Sequence, residues 1–208
     1  MAKIGVMLTG CGRLDGTDVH EAVLALIHIE NKGHTSVCLV PDGDQPMVAD
    51  HAGAELDLPG QTRNMLQESA RLAFGAVRLL HEVPVRMLDG VILPGGAGSF
   101  RSLCSQGGQG IGGGVLRQDV RTFLEALLDK GGRIGATGLA TVVLDRLRER
   151  SLRQDPAGMQ AEKLEVDPDG RTAYCSGMLG ARSLGEAGTG ISKLVDWVAG
   201  GPAKEGPG

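Results

Sequence analysis

Aromatic residues are the first scarcity in this chain. Phe, Tyr and Trp make up only 2% of it, too few for the stacking platforms that hold single-stranded nucleic acid. Lys and Arg never cluster into a block, and the formal net charge is −4. Without a basic stripe, neither nucleic acid nor a membrane surface is an expected partner. No apolar run reaches the length of a membrane span. An apolar signal region with a small-residue cleavage site is also missing, because Met1-Ala2-Lys3-Ile4-Gly5-Val6 enters a strand-like run at once. Cysteine is sparse. Cys11, Cys38, Cys104 and Cys175 stand far apart, with no CxxC pair and no histidine at zinc-ligand spacing. They read as reduced thiols of a cytoplasmic protein, or of an organelle matrix, and no metal or cofactor is expected.

Glycine is abundant instead, with 34 residues and no collagen-like period. The glycines gather where strands should hand over to loops. A length of 208 residues suits one domain, expected over 1–199, with a frayed tail at 200–208. Lys3 to Thr9 reads as a buried strand, Thr35 to Val40 as a second, Asp89 to Leu93 as a third and Arg133 to Ala136 as a fourth. Between them the spacing predicts helices with Val19, Ala22, Val23, Leu26 and Ile27 on one face, then over Asn64 to Ala73, Val115 to Leu128, Leu139 to Arg148 and Glu186 to Ala199. Residues 95–114 read as a glycine-rich loop. Leu164–Val166 and Thr172–Cys175 flank Asp167-Pro168-Asp169-Gly170, a hairpin turn. Alternating strands and helices imply an α/β fold with a doubly wound, mostly parallel sheet and helices on both faces. Ligands of such folds bind beyond the carboxyl ends of the strands, where the loops at 10–18, 94–99 and 136–139 should meet.

A dinucleotide site is the first reading to weigh. Gly10-x-Gly12-x-x-x-Gly16 follows the first strand, and Asp42 near the end of the second could meet a ribose. Asp15 and Asp18, however, would sit where a pyrophosphate approaches the helix N-terminus, and carboxylates repel it. Gly108-x-Gly110-x-x-Gly113 lies too far past its strand, and there is no Walker A sequence. His20-Glu21 does not open an HExxH zinc motif, because the third residue after Glu21 is Leu24.

A closer resemblance comes from motifs spread along nearly the whole chain. Lys3 to Gly12, Asp15-Gly16-Thr17-Asp18-Val19-His20-Glu21-Ala22, Pro41-Asp42, Thr62-Arg63-Asn64 to Arg71, Asp89 to Gly96 and Gly190 to Val195 occur in this order. They resemble the ElbB-like branch of the PfpI superfamily, glutamine-amidotransferase-like proteins with a flavodoxin-like fold that usually pair as homodimers. Such proteins place a nucleophilic cysteine on a strained strand-to-helix turn, an acid beside its thiol, and backbone N–H groups around an oxyanion. The resemblance maps the acid to Asp18 and the oxyanion donors to Gly95 and Gly96. It maps the turn to Gly135-Ala136-Thr137-Gly138-Leu139-Ala140, so the nucleophile position is Gly138, which has no side chain. The stretch from this turn to the hairpin is shorter than in the family, and all five histidines precede the turn. A Cys–His pair in the amidotransferase order therefore cannot form.

The remaining candidates each have a bland alternative. Cys11 could replace the nucleophile or be a small buried residue. Thr137 could bind a ligand or cap the following helix, with Leu139 beside it. Arg63 and Asn64 could hold a carboxylate or anchor loops. Two readings stay open: a protein that binds a small carbonyl- or carboxylate-containing molecule, or a cofactor-independent hydratase, isomerase or lyase that uses Asp18.

Overall fold

A run of apolar residues bounded by glycine or proline makes each central strand. The computed structural model describes residues 1–53, 57–105, 114–149 and 158–201. Its main sheet is built from β1 (Lys3–Met7), β2 (Thr35–Val40), β3 (Val77–Leu79), β4 (Gly90–Leu93), β7 (Arg133–Thr137), β8 (Glu165–Val166) and β9 (Thr172–Cys175). The spatial order is β3-β2-β1-β4-β7-β9-β8. Every neighbouring pair is parallel except β8 and β9, the hairpin expected around Asp169. Successive residues of β4 point to opposite faces: Val91 and Leu93 join one core cluster and Ile92 the other. Helices α3 (Ala97–Leu103), α4 (Gln118–Asp129) and α5 (Thr141–Leu147) contribute to the first cluster, and α1 (Val19–Asn31) and α6 (Leu184–Val198) to the second. Helix α2 (Met65–Leu72) packs beside β3 at the edge. The sheet is doubly wound, as the alternating pattern implies.

Four local expectations change. Val23 and Ile27 do not face the core; they are 37% and 46% exposed, while Glu21, Ala22, Ala25 and Ile29 are buried. The inner face of α1 carries Ala22 and Ala25, which let the helix approach the sheet, with Ile29 closing the core at its far end. The loop expected over 95–114 begins instead with α3, which Gly96 opens at φ +107°, a backbone that favours glycine. Val115–Leu116 is not helical: it forms β6, antiparallel to β5 (Cys104–Ser105). A short 3₁₀ turn, Gly138–Ala140, precedes α5. The Gly108, Gly110 and Gly113 triplet lies outside the described residues, as does the tail from 202 onward. No helix among the described residues is long and apolar enough to cross a membrane.

Candidate functional site

Asp18 starts α1. Its Oδ1 accepts hydrogen bonds from the N–H groups of His20 (2.9 Å) and Glu21 (3.2 Å), an N-cap that meets the orphan donors of the first turn. The α1 N-terminus is thus already filled by a carboxylate, and a phosphate would have to displace it. Asp18 thus serves as a helix cap, and the carboxyl nearest to Gly138 is that of Glu21, three residues further on. Asp18-x-x-Glu21 has the pattern of a capping box, in which Glu21 would return to the Asp18 N–H. That N–H donates to Gly95 O at 2.8 Å, and the Glu21 side chain is free to turn inward.

Glu21 is only 2% exposed. Its Oε2 accepts from Gly95 N–H at 2.7 Å and, in a short contact, from the Thr137 hydroxyl; its Oε1 accepts from Met178 N–H at 2.8 Å. Donors from three separate segments of chain therefore converge on one carboxyl. Burial pushes its pKa up to about 7, and the nearby Asp18 charge acts in the same direction, while these hydrogen bonds oppose the shift. The backbone can come this close because glycines surround the carboxyl. A Cβ added at Gly95 would lie 2.6 Å from Oε2, one at Gly138 would lie 2.8 Å from Oε1, and one at Gly177 would overlap Oε1.

Gly138 lies at the bend between β7 and α5, with φ +50°. The three atoms nearest to its absent Cβ all belong to the Glu21 carboxyl group. Thr137 does not cap the helix: its hydroxyl donates to Glu21 and accepts from Gly95 N–H at 3.1 Å. The Gly95 N–H is thereby committed and cannot serve as an oxyanion donor. The Gly96 N–H has no acceptor among the described residues, and the Leu139 N–H lies in a first helical turn, where donors lack intrahelical partners.

The other candidates fall elsewhere. Arg63 Nη1 donates to the fully buried Asp15 Oδ2 at 3.0 Å, and Asn64 caps α2 by accepting from Leu66 and Gln67 N–H. Both make anchoring bonds within the loops around α2. Cys11 is half-buried; burial raises its thiol pKa, Glu68 adds to the shift and Arg71 opposes it. The charges that act on it belong to α2 and the Asp15–Arg63 pair rather than to Glu21. Cys175, which is in register with Thr137, is fully buried, and burial pushes its thiol up to about 12. Neither thiol is an activated nucleophile. Among the described residues, no group of three or more His, Cys, Asp or Glu could hold a metal ion.

The chain is 33% identical over 142 residues to the human glutamine amidotransferase-like class 1 domain-containing protein 3, mitochondrial, an alignment covering 68% of this chain and 52% of that protein. The chain spans about half the length of the curated relatives it matches. An isoprenoid biosynthesis protein with an amidotransferase-like domain from Ehrlichia chaffeensis superposes with TM-score 0.83 at 24% identity, over 93% of this chain and 97% of that one. A DJ-1 superfamily protein from Salmonella typhimurium superposes with TM-score 0.55 at 16% identity, over 97% and 92%. The fold is that of the ThiJ/PfpI/DJ-1 superfamily. The homologues are glutamine amidotransferase-like class 1 domain proteins. No family model matches the chain.

Proposed function

We propose that this chain is an ElbB-like protein of the PfpI superfamily in which Gly138 replaces the nucleophilic cysteine. In this reading it binds a small carbonyl- or carboxylate-containing molecule and performs no thiol chemistry, as a homodimer in a reducing compartment. One observation carries the reading: Gly138 holds φ +50° at the strand-to-helix bend, with the Glu21 carboxyl where its side chain would point. A left-handed bend aimed at an acid is the geometry a nucleophile needs, and here nothing beyond Cα is present to react.

The test uses pyruvate as the probe for binding and methylglyoxal for thiol chemistry. Saturating pyruvate should raise the melting temperature by roughly 5–10 °C at a hundredfold excess over its dissociation constant. Methylglyoxal should give no lactate that iodoacetamide treatment abolishes. Thiol-dependent lactate formation, or an unchanged melting temperature, would overturn the reading. Placing Gly138→Cys in a Cys11→Ser background should create a thiol that alkylates readily beside Glu21. An inert thiol there would contradict the assignment of residue 138 to the bend.

A further inference from the structure

We infer that a cavity between α4 and the segment after β3 binds a small aromatic amine, with its ring among apolar side chains and its ammonium on the Asp42 carboxylate. The cavity holds about 400 Å³ and shares no residue with the surroundings of Glu21, a volume ordinary for a small-molecule site. Helix α4 supplies one wall. Asp119, Thr122, Phe123 and Ala126 line it at i, i+3, i+4 and i+7, which is one face of a helix. The other wall is a pair of 3₁₀ turns, Leu80–Glu82 and Val85–Met87, joined by Val83 and Pro84 in extended backbone. Local bonds fix this wall. Val83 N–H donates to Leu80 O at 3.3 Å, Met87 N–H to Pro84 O at 2.9 Å, and Leu79 N–H to Glu82 Oε2 at 3.1 Å. A ligand therefore meets a shape that is already formed. Leu80, Val83 and Phe123 are buried, so the floor is apolar. An aromatic guest gains there both the burial and the ring contact that Phe123 favours.

The exposed part of the lining sets the charge. It includes Asp42 and Asp119 but no lysine or arginine. The two carboxylates are not equivalent. Arg117 Nε and Nη2 donate to the Asp119 oxygens at 3.0 and 2.7 Å, so that charge is already matched. Burial raises the Asp119 pKa, but these bonds, the guanidinium charge and the Val120 N–H outweigh it and hold the group below its ordinary value. Arg117 Nη2 also donates to Asp42 O at 3.0 Å, which holds the Asp42 backbone beside the cavity. The Asp42 carboxylate, which a dinucleotide site would have given to a ribose, has no partner among the described residues. An ammonium supplies that partner, whereas a carboxylate guest would be repelled. This goes beyond the reading above, in which the guest is a carbonyl or carboxylate compound at Gly138.

The probe is 2-phenylethylamine, titrated into the ¹⁵N-labelled chain and followed through its amide NMR shifts. The amides of Leu80, His81, Thr122, Phe123 and Ala126 should move together, with a dissociation constant of about 1 mM or tighter. 3-Phenylpropionate, which exchanges the ammonium for a carboxylate, should bind about tenfold more weakly or worse, and so should ethylamine, which lacks the ring. Asp42→Asn should weaken the amine about tenfold, because it takes the charge from the hydrogen bond. Ala126→Leu, at an exposed helix position that accepts leucine, should fill the cavity and abolish the shifts. Equal affinity for 3-phenylpropionate would overturn the inference, as would an amine affinity that Asp42→Asn leaves unchanged. Amides that stay still up to about 10 mM amine would overturn it too. If the same amides move when the protein alone is concentrated, the face docks a second copy of the chain and the ligand assignment falls.

Discussion

Glu21 has a folded-state pKa near 7 and an ordinary value near 4.5. Between those values the folded chain holds a proton that the unfolded chain has released. The contribution of this group to stability is therefore complete below about 4.5 and is lost as pH rises towards 7. The slope is at most about 1.4 kcal/mol per pH unit, and other carboxylates impose the opposite trend. His28, whose pKa burial lowers, also loses stability as pH falls. The measurement that isolates Glu21 is thus a difference. Subtracting the urea-unfolding free energy of Glu21→Gln from that of wild type should give a curve that declines from pH 4.5 to 7 and then levels. A flat difference curve would show that Glu21 is ionised throughout.

Asp18 belongs to the scale of the element, because its carboxylate serves the first turn of α1. Asp18→Ala should cost about 1 kcal/mol, the usual worth of an N-cap, and Asp18→Asn should recover most of it. A urea midpoint for Asp18→Asn as low as that of Asp18→Ala would mean that the charge matters rather than the cap. The same helix shows what could be read in advance. Strands β1, β2, β4 and β7 are apolar runs closed by glycine or proline, and both the bend at Gly138 and the hairpin near Asp169 follow from such punctuation. Glu21 was hidden because Asp18-x-x-Glu21 reads as a local capping box. Its side chain leaves that box for donors 74, 116 and 157 residues away, which no local pattern encodes. Helix α3 was hidden for a related reason. Gly96 and Gly98 suggest a loop, whereas the Ala97 N–H bond to Arg13 O and the burial of Phe100 and Leu103 hold the segment helical. Tertiary contacts outweigh propensity there.

At the scale of the whole molecule, the Glu21 carboxyl joins α1 to the loop after β4, the end of β7 and the turn after β9. Trp197, the single tryptophan, reports from the other end of β7: Arg133 starts that strand, donates to Trp197 O, and lies 4.9 Å from the indole centroid. Strand β7 runs from this probe to Thr137, and both core clusters pack on the sheet it crosses. Removing the carboxyl with Glu21→Ala takes the acceptor from the Met178 N–H and the Thr137 hydroxyl, and leaves the Gly95 N–H only its 3.1 Å bond to the Thr137 oxygen. Unsatisfied donors cost about 1–3 kcal/mol each, partly relieved by local relaxation, so a loss of roughly 3 kcal/mol is expected. If the sheet unfolds as one unit, Trp197 fluorescence and far-UV circular dichroism should move to the same lower urea midpoint. Were the site end to loosen independently, circular dichroism would begin to fall before the fluorescence changed, and the two curves would separate. Coincident curves would instead mean that a carboxyl at one end of β7 sets the stability reported by an indole at the other.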